Sequence, residues 1–218
     1  MSGLYEQIFR RVMFPLYESL LRRRKTLSYL REYEQSQWLS RDEIDALQWQ
    51  KLKRLLEHCW REVPYYQQQW KALGISNAED FRAREDYSRL PMLTKPEIRS
   101  HFEALHAPSL RTQLHYKTTG GSTGEPLRFG YTRESYERRI AVMWRGYGWA
   151  GARMGRRTLY LWGAAVGAPL LSRDLKDRAY HGAFNRRMLN AFLMNEHRMF
   201  EYVKEIDRYR PEIIVGYV

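Results

Sequence analysis

"YKTTGGSTGEPLRFGYT", Tyr116 to Thr132, sets glycines and hydroxyl side chains between two short segments that alternate like strands. Gly120, Gly121 and Gly124 let the backbone take positive φ, and without a Cβ their amides can approach an anion closely. Successive N–H groups of this kind form a concave nest for phosphate oxygens, to which Ser122 and Thr123 add hydroxyl donors. The same composition suits a plain hairpin connection, so residue chemistry alone leaves two readings open. Two nucleotide fingerprints are excluded. A Walker loop needs Lys and Ser/Thr directly after its last glycine, where Glu125 and Pro126 stand, and a dinucleotide fingerprint needs glycine where "TGGSTG" has Thr119.

Outward from this stretch the chain changes character. Toward the C-terminus, Thr132 is placed to cap a helix running to about Trp149, "RTLYLWG" reads as a buried strand, and a helix after Asn195 with Met199, Val203 and Ile206 on one face precedes the strand "EIIVGYV". Strand alternating with helix is the α/β pattern. Toward the N-terminus the signals are helical. "SRDE" is a capping box with Ser40 and Glu43, followed by Ile44, Leu47, Leu52, Leu55, Leu56, Cys59 and Val63 at helical intervals up to Pro64. "YYQQQWKALG" forms a shorter helix stopped at Gly74, and "TKPE" offers another start with Thr94 as cap and Glu97 reaching back. The expected division is a mainly helical segment over 1–105 and an α/β region over 106–218, the latter a partial nucleotide-binding subdomain by the family resemblance given below.

The first segment carries apolar pairs four apart: Leu4 and Tyr5, Ile8 and Phe9, Val12 and Met13, Leu16 and Tyr17, Leu20 and Leu21. In an ideal α-helix this stripe winds round the cylinder, with Pro15 as a kink site. The expectation is that it docks on the rest of the protein; contact with an anionic membrane surface is the other reading, given the basic run Arg22, Arg23, Arg24 and Lys25.

Across 218 residues, 44% hydrophobic, the chain can bury a substantial core, and its formal charge of +12 makes a positive field around it. The cations are scattered, apart from Arg22 to Lys25 and the pair Arg156 and Arg157, which fits a solvated surface better than a nucleic-acid stripe. Cys59, the single cysteine, excludes an intrachain disulfide framework and a multi-cysteine zinc site. Its place on the apolar side of a helix argues for packing, not nucleophilic work. No histidine pair has helical metal-ligand spacing, so no protein metal site is expected; His181 and His197 read equally as pocket or surface residues. "LYLWGAAVGAPLL" is too short to span a bilayer, Glu6, Arg10, Arg11 and Glu18 interrupt any leader, and a cytoplasmic location is expected.

The order of residues in "TGGSTGEP" resembles the phosphate-binding loop of the adenylate-forming (AMP-binding) enzymes. "HCWREVPYYQQQW" (His58 to Trp70), "RLPMLTKPEIRSHF" (Arg89 to Phe102) and "YRPEIIVGYV" resemble segments of the phenylacetate–coenzyme A ligase branch, nearest its CapK-like members associated with capsular polysaccharide biosynthesis.

That resemblance implies part of the family's large α/β domain, a mixed sheet flanked by helices behind an N-terminal helical segment. It implies that Thr119, Gly120, Gly121, Ser122, Thr123 and Gly124 wrap the phosphates of ATP while Pro126 fixes the exit. ATP, Mg²⁺ and coenzyme A are the implied cofactors, and the implied reaction joins a small carboxylic acid to AMP before transfer to the coenzyme A thiol. Trp162 and Gly163, at the end of a strand, are the substrate-pocket candidates, because strand C-termini in α/β sheets face ligand clefts. Where the family often has Lys, this loop has Glu125; Lys117 and Arg128 are the nearest cations to balance it. The family pattern continues beyond a segment like "IIVGYV", so the chain is expected to be a fragment, inactive alone. The rival expectation is a non-catalytic basic protein that binds nucleic acid or an anionic membrane through Arg22 to Lys25. No specific nucleic acid is expected under the leading reading, and an oligomer is compatible with it.

Overall fold

Ser40 and Glu43 hold each other across the start of the longest helix. In the computed structural model, which describes residues 2–119, 126–163 and 179–216, the Ser40 amide donates to Glu43 Oε2 at 2.8 Å and the Glu43 amide to Ser40 Oγ at 3.4 Å. Thr94 and Glu97 repeat the arrangement, the Thr94 amide donating to Glu97 Oε2 at 2.7 Å. Each box satisfies amides that the first helical turn cannot.

The elements run, in chain order, α1 (Ser2–Ile8), α2 (Thr26–Ser36), α3 (Arg41–Glu62), α4 (Pro64–Ala72), α5 (Arg84–Tyr87), α6 (Lys95–Ser100), β1 (His115–Thr118), β2 (Arg128–Tyr131), α7 (Arg133–Trp149), β3 (Thr158–Trp162), β4 (Arg186–Asn190), α8 (Glu196–Tyr209) and β5 (Ile213–Gly216). They fall into two compact units, Met1–Arg31 with Ile140–Val218, and Glu32–Arg139.

In the unit Glu32–Arg139, α3 ends as expected before Pro64, which opens α4 at its first turn, where a missing N–H costs nothing. Gly74 closes α4 with φ of +75°. Leu56, Trp70, Ile75 and Phe81 form one buried cluster and Val63, Tyr65 and Ala107 another. Trp70 stacks on Trp60 at 6.5 Å and meets Phe81 edge-on at 5.2 Å, so large rings supply much of this core. β1 and β2 pair antiparallel, and Thr132 caps α7 by accepting from the Ser135 amide at 3.2 Å.

The other unit is built on a parallel sheet in the order β4-β3-β5. The strands described therefore make an antiparallel pair and a parallel trio. β3 is central and its Leu159 is fully buried, as the apolar run "TLYLW" predicts. β4 carries no strand signal in the sequence. "RRMLN" is an edge strand, and its leading arginines are what edges use to stay soluble. Glu212 fastens β5 to β3: it accepts from Arg156 Nε at 3.0 Å and Arg157 Nε at 3.4 Å, and its amide donates to the Arg157 carbonyl at 2.9 Å. The basic pair Arg156 and Arg157 is thus engaged in joining strands.

The core of this unit gathers Phe9, Phe14, Trp144, Met154 and Phe184. Phe184 meets Phe9 at 4.9 Å and Phe14 at 5.6 Å, both edge-on. Gly155, at φ of +88°, lets the chain pass Phe9, because a Cβ there would lie 3.0 Å from Phe9 Cβ and 3.2 Å from Glu6 Cα.

Two expectations about helix faces are corrected. Beyond α1 the backbone winds into wider π turns at Phe9–Met13 and Leu16–Leu21, either side of Pro15. A turn that closes on the fifth residue holds more residues than an α turn, so a four-residue repeat drifts less round the cylinder. The paired stripe does not dock as a whole: Phe9, Phe14 and Glu18 are buried, while Leu4, Ile8, Val12, Leu16 and Leu20 face outward. In α8 the inward face runs through Tyr202, Ile206 and Tyr209, not Met199 and Val203, which are exposed. Tyrosine hydroxyls decide this, since Tyr202 Oη donates to the Asn190 carbonyl at 2.8 Å and Tyr209 Oη to the Asn185 carbonyl at 2.6 Å.

Candidate functional site

The hairpin expected around the glycine loop is present. Its register pairs His115 with Tyr131, Tyr116 with Gly130, Lys117 with Phe129 and Thr118 with Arg128. One step further, the Thr119 amide donates to the Leu127 carbonyl at 2.9 Å, and the Leu127 amide donates to Thr119 Oγ1 at 2.9 Å. These two bonds bring the ends of the loop together. The candidates Gly120, Gly121, Ser122, Thr123 and Gly124, with Glu125, lie outside the described residues; Thr119 and Pro126, exposed, bracket them.

Alternation along the strands puts Lys117 and Arg128 on opposite faces of the hairpin. Each is braced by rings. Lys117 Nζ lies 5.0 Å from the Tyr131 ring centre and 5.4 Å from that of Tyr136. The Arg128 guanidinium lies 4.3 Å over Tyr116 and 5.3 Å over Phe102. Stacking of this kind holds a cation in place while leaving its N–H donors to the side. Tyr116 in turn meets His106 edge-on at 5.7 Å, and Gly130 permits that packing, because a Cβ there would stand 3.3 Å from His106 Nε2. Tyr116, Tyr131 and Tyr136, which orient the two cations, were not singled out by sequence; the aromatic-cation alternation in "HYKTT" and "RFGYT" was the available signal.

In the other unit, the parallel sheet ends its strands at Trp162, Asn190 and Gly216 on one side. This is the side on which α/β sheets hold ligands. Trp162 is 39% exposed. Gly163 lies directly beneath the ring of Phe192, so close that a Cβ would stand 2.3 Å from Phe192 Cε2. Phe192 is itself 65% exposed, and its backbone is fixed by its amide, which donates to Asn190 Oδ1 at 3.0 Å. Sequence reasoning found Trp162 and Gly163 but not Phe192, which arrives from a different strand end.

The remaining candidates separate. His197 is exposed and lies 3.7 Å from Glu201, and His181 packs edge-on against Tyr180 at 5.4 Å. Cys59 is half-buried, and burial pushes its thiol up to about 11, which keeps it protonated and unreactive at neutral pH. It borders an apolar cleft of about 520 Å³ in the unit Glu32–Arg139, walled by Leu56, Tyr66, Trp70 and Leu90 and lined by no charged residue. That lining does not suit phosphate. Among the described residues no three His, Cys, Asp or Glu side chains cluster as a metal site, and no helix is long and apolar enough to cross a membrane.

Comparison with known proteins gives the chain's relatives. The chain is 32% identical over 118 residues to the phenylacetate–coenzyme A ligase of Thermus thermophilus and 33% identical over 98 residues to that of Escherichia coli. It is 21% identical over 211 residues to the CapK protein of Staphylococcus aureus. Over these stretches the chain is similar to phenylacetate–coenzyme A ligases and to CapK. These matches cover 54%, 44% and 96% of the chain but 26%, 22% and 46% of the relatives, so it spans under half the length of these ligases and of CapK. No family model matches. Among solved structures, 2-hydroxyisobutyryl-CoA ligase in the postadenylation state with R3-HIB-AMP superimposes with a TM-score of 0.56 at 17% identity, over 81% of this chain and 37% of that one. The fold is thus part of the adenylate-forming coenzyme A ligase fold, as the α/β alternation and the loop's residue order led us to expect.

Proposed function

We propose that the protein containing this chain activates a small carboxylic acid with ATP, and that the loop 119–126 holds the triphosphate. The observation that carries this is the hairpin neck: Thr119 and Leu127 close the loop through two backbone-anchored bonds, and Lys117 and Arg128 stand beside it, braced on aromatic rings. Closed ends with a glycine-rich interior favour a nest of amides, and the braced cations offset the charge of Glu125 and of phosphate.

In this reading a carboxylate oxygen attacks the α-phosphorus of ATP, the bond to the bridging oxygen breaks, and pyrophosphate leaves with that electron pair. The loop's donors hold the β- and γ-phosphates where charge grows, which is the electrostatic part of the catalysis. Thr119 accepts the Leu127 amide, and its own hydroxyl proton is still available for a phosphate oxygen. Mg²⁺, when bound with ATP, would offset the charge of the triphosphate. A thiol, of coenzyme A in this reading, then attacks the acyl carbon and AMP departs. Trp162, Gly163 and Phe192 form an aromatic wall at the sheet end, suited to an apolar acid.

The test is ATP–pyrophosphate exchange over a panel of carboxylic acids, in the protein expressed from its full reading frame. Gly121→Val should lower exchange by about tenfold or more, as a lost phosphate contact does. Exchange undiminished by that change would remove the loop from the reaction.

A further inference from the structure

The cleft beside Cys59 has three sides. α3 supplies Leu55, Leu56 and Cys59, α4 supplies Tyr66, Gln69 and Trp70, and the segment 87–93 supplies the third. Its volume of about 520 Å³ falls within the roughly 300–1,000 Å³ of small-molecule sites. Leu56 and Trp70 are buried, so the cleft has depth, while Leu55 is 56% exposed. Trp70 lies nearly parallel to Trp60, at 5° between planes, and the Tyr66 ring stands 5.3 Å from it. One wall is therefore aromatic and rigid.

The lining is uncharged but not wholly apolar. Among the described residues neither the Tyr66 hydroxyl nor the Gln69 side-chain amide has a hydrogen-bond partner. Both are part-buried, and together they offer donors and an acceptor to a bound molecule. Burial, followed by the neighbouring Cys59, Tyr65 and Tyr87, holds the Tyr66 phenol above its ordinary value, and burial pushes the Cys59 thiol up to about 11. Both groups keep their protons at neutral pH, so no charge arises in the wall. A charged ligand would lose its water there and meet no counter-charge.

From this lining we propose that the cleft binds a small, flat, uncharged aromatic molecule, its ring against Trp70 and its hydrogen-bonding group at Tyr66 and Gln69. Apolar walls with a few convergent polar groups are what such sites are made of. A peptide would bring a backbone N–H and C=O at every residue, most of which these walls cannot pair. An aliphatic chain would fill the space and leave Tyr66 and Gln69 unused. The inference does not depend on the catalytic reading above.

Equilibrium dialysis of 2-naphthol against the 218-residue chain at neutral pH tests it, with 2-naphthoate as the charged counterpart of the same ring system. We expect saturable binding of the naphthol and binding of the naphthoate weaker by about tenfold or more. Leu55→Trp puts a large ring at an exposed position of the lining and should lower naphthol affinity by about tenfold. Gln69→Leu should weaken it several-fold, as the loss of one hydrogen bond does. Cys59, the single cysteine, reports the place of binding: saturating 2-naphthol should slow its reaction with a disulfide reagent several-fold. Absence of saturable binding, equal binding of the naphthoate, or affinity indifferent to both substitutions would overturn the proposal. So would a Cys59 rate that the naphthol leaves unchanged.

Discussion

Thr119 and Leu127 exchange two hydrogen bonds, amide to carbonyl and amide to hydroxyl, both at 2.9 Å, and so close the mouth of the glycine loop. The side-chain bond extends the strand ladder by one position. Thr119→Val keeps the shape and removes the acceptor. We expect a loss of about 1 kcal/mol in urea unfolding, as for one hydrogen bond, and a several-fold weaker response to Mg·ATP in a thermal-shift titration. Thr119→Ser should restore both. Unchanged ATP response in the valine variant would separate the neck from the phosphates.

Gly163 and Phe192 form the second tight relationship. A methyl group at 163 would overlap the ring of Phe192, whose exposed end can swing away. Gly163→Ala should cost about 1 kcal/mol, the low end for an overpacked site, and the cost should vanish in a Phe192→Ala background. The coupling is read from a double-mutant cycle of urea midpoints.

Glu18, buried in the π turn Leu16–Leu21, receives Arg24 and the buried hydroxyl of Thr26. Glu18→Ala leaves the Thr26 hydroxyl without this acceptor inside the protein. The expected loss is about 3 kcal/mol, well above that of an exposed pair such as Arg41 and Asp45. Thermal unfolding of the two alanine variants, Glu18→Ala and Asp45→Ala, makes the comparison.

Cys59 gives a pH signature. Burial raises its thiol from 9.0 to about 11. The folded thiol stays neutral where the unfolded one ionises, so its contribution to stability is complete below pH 9 and is lost as pH rises toward 11. Reaction with a disulfide reagent at pH 8 should run roughly a hundredfold slower in the native protein than in urea, from thiolate fraction alone. Equal rates would place the thiol at the surface.

Three helix starts were legible residue by residue, while those of α2 and α5 were not. Ser40 with Glu43, Thr94 with Glu97, and Thr132 before α7 act within one turn, so local sequence contains both partners of each bond. The hairpin was legible for the same reason, and the order "TGGSTGEP" carried the family resemblance. β4 was not legible, because an edge strand with two arginines has neither an apolar run nor a clean alternation.

By itself, then, the sequence determined where chains of local bonds begin and end, the α/β alternation, and the loop on which the proposed chemistry rests. Only the tertiary structure decided which of two adjacent apolar residues turns inward. Phe9 is held by Phe184, from far along the chain, while its neighbour Ile8 stays in the outer row. The same holds for Phe192 over Gly163 and for the rings beneath Lys117 and Arg128. Periodicity in a segment describes which residues can share a face. Which face is buried depends on partners distant in sequence, and those meet only when the strands and helices are packed.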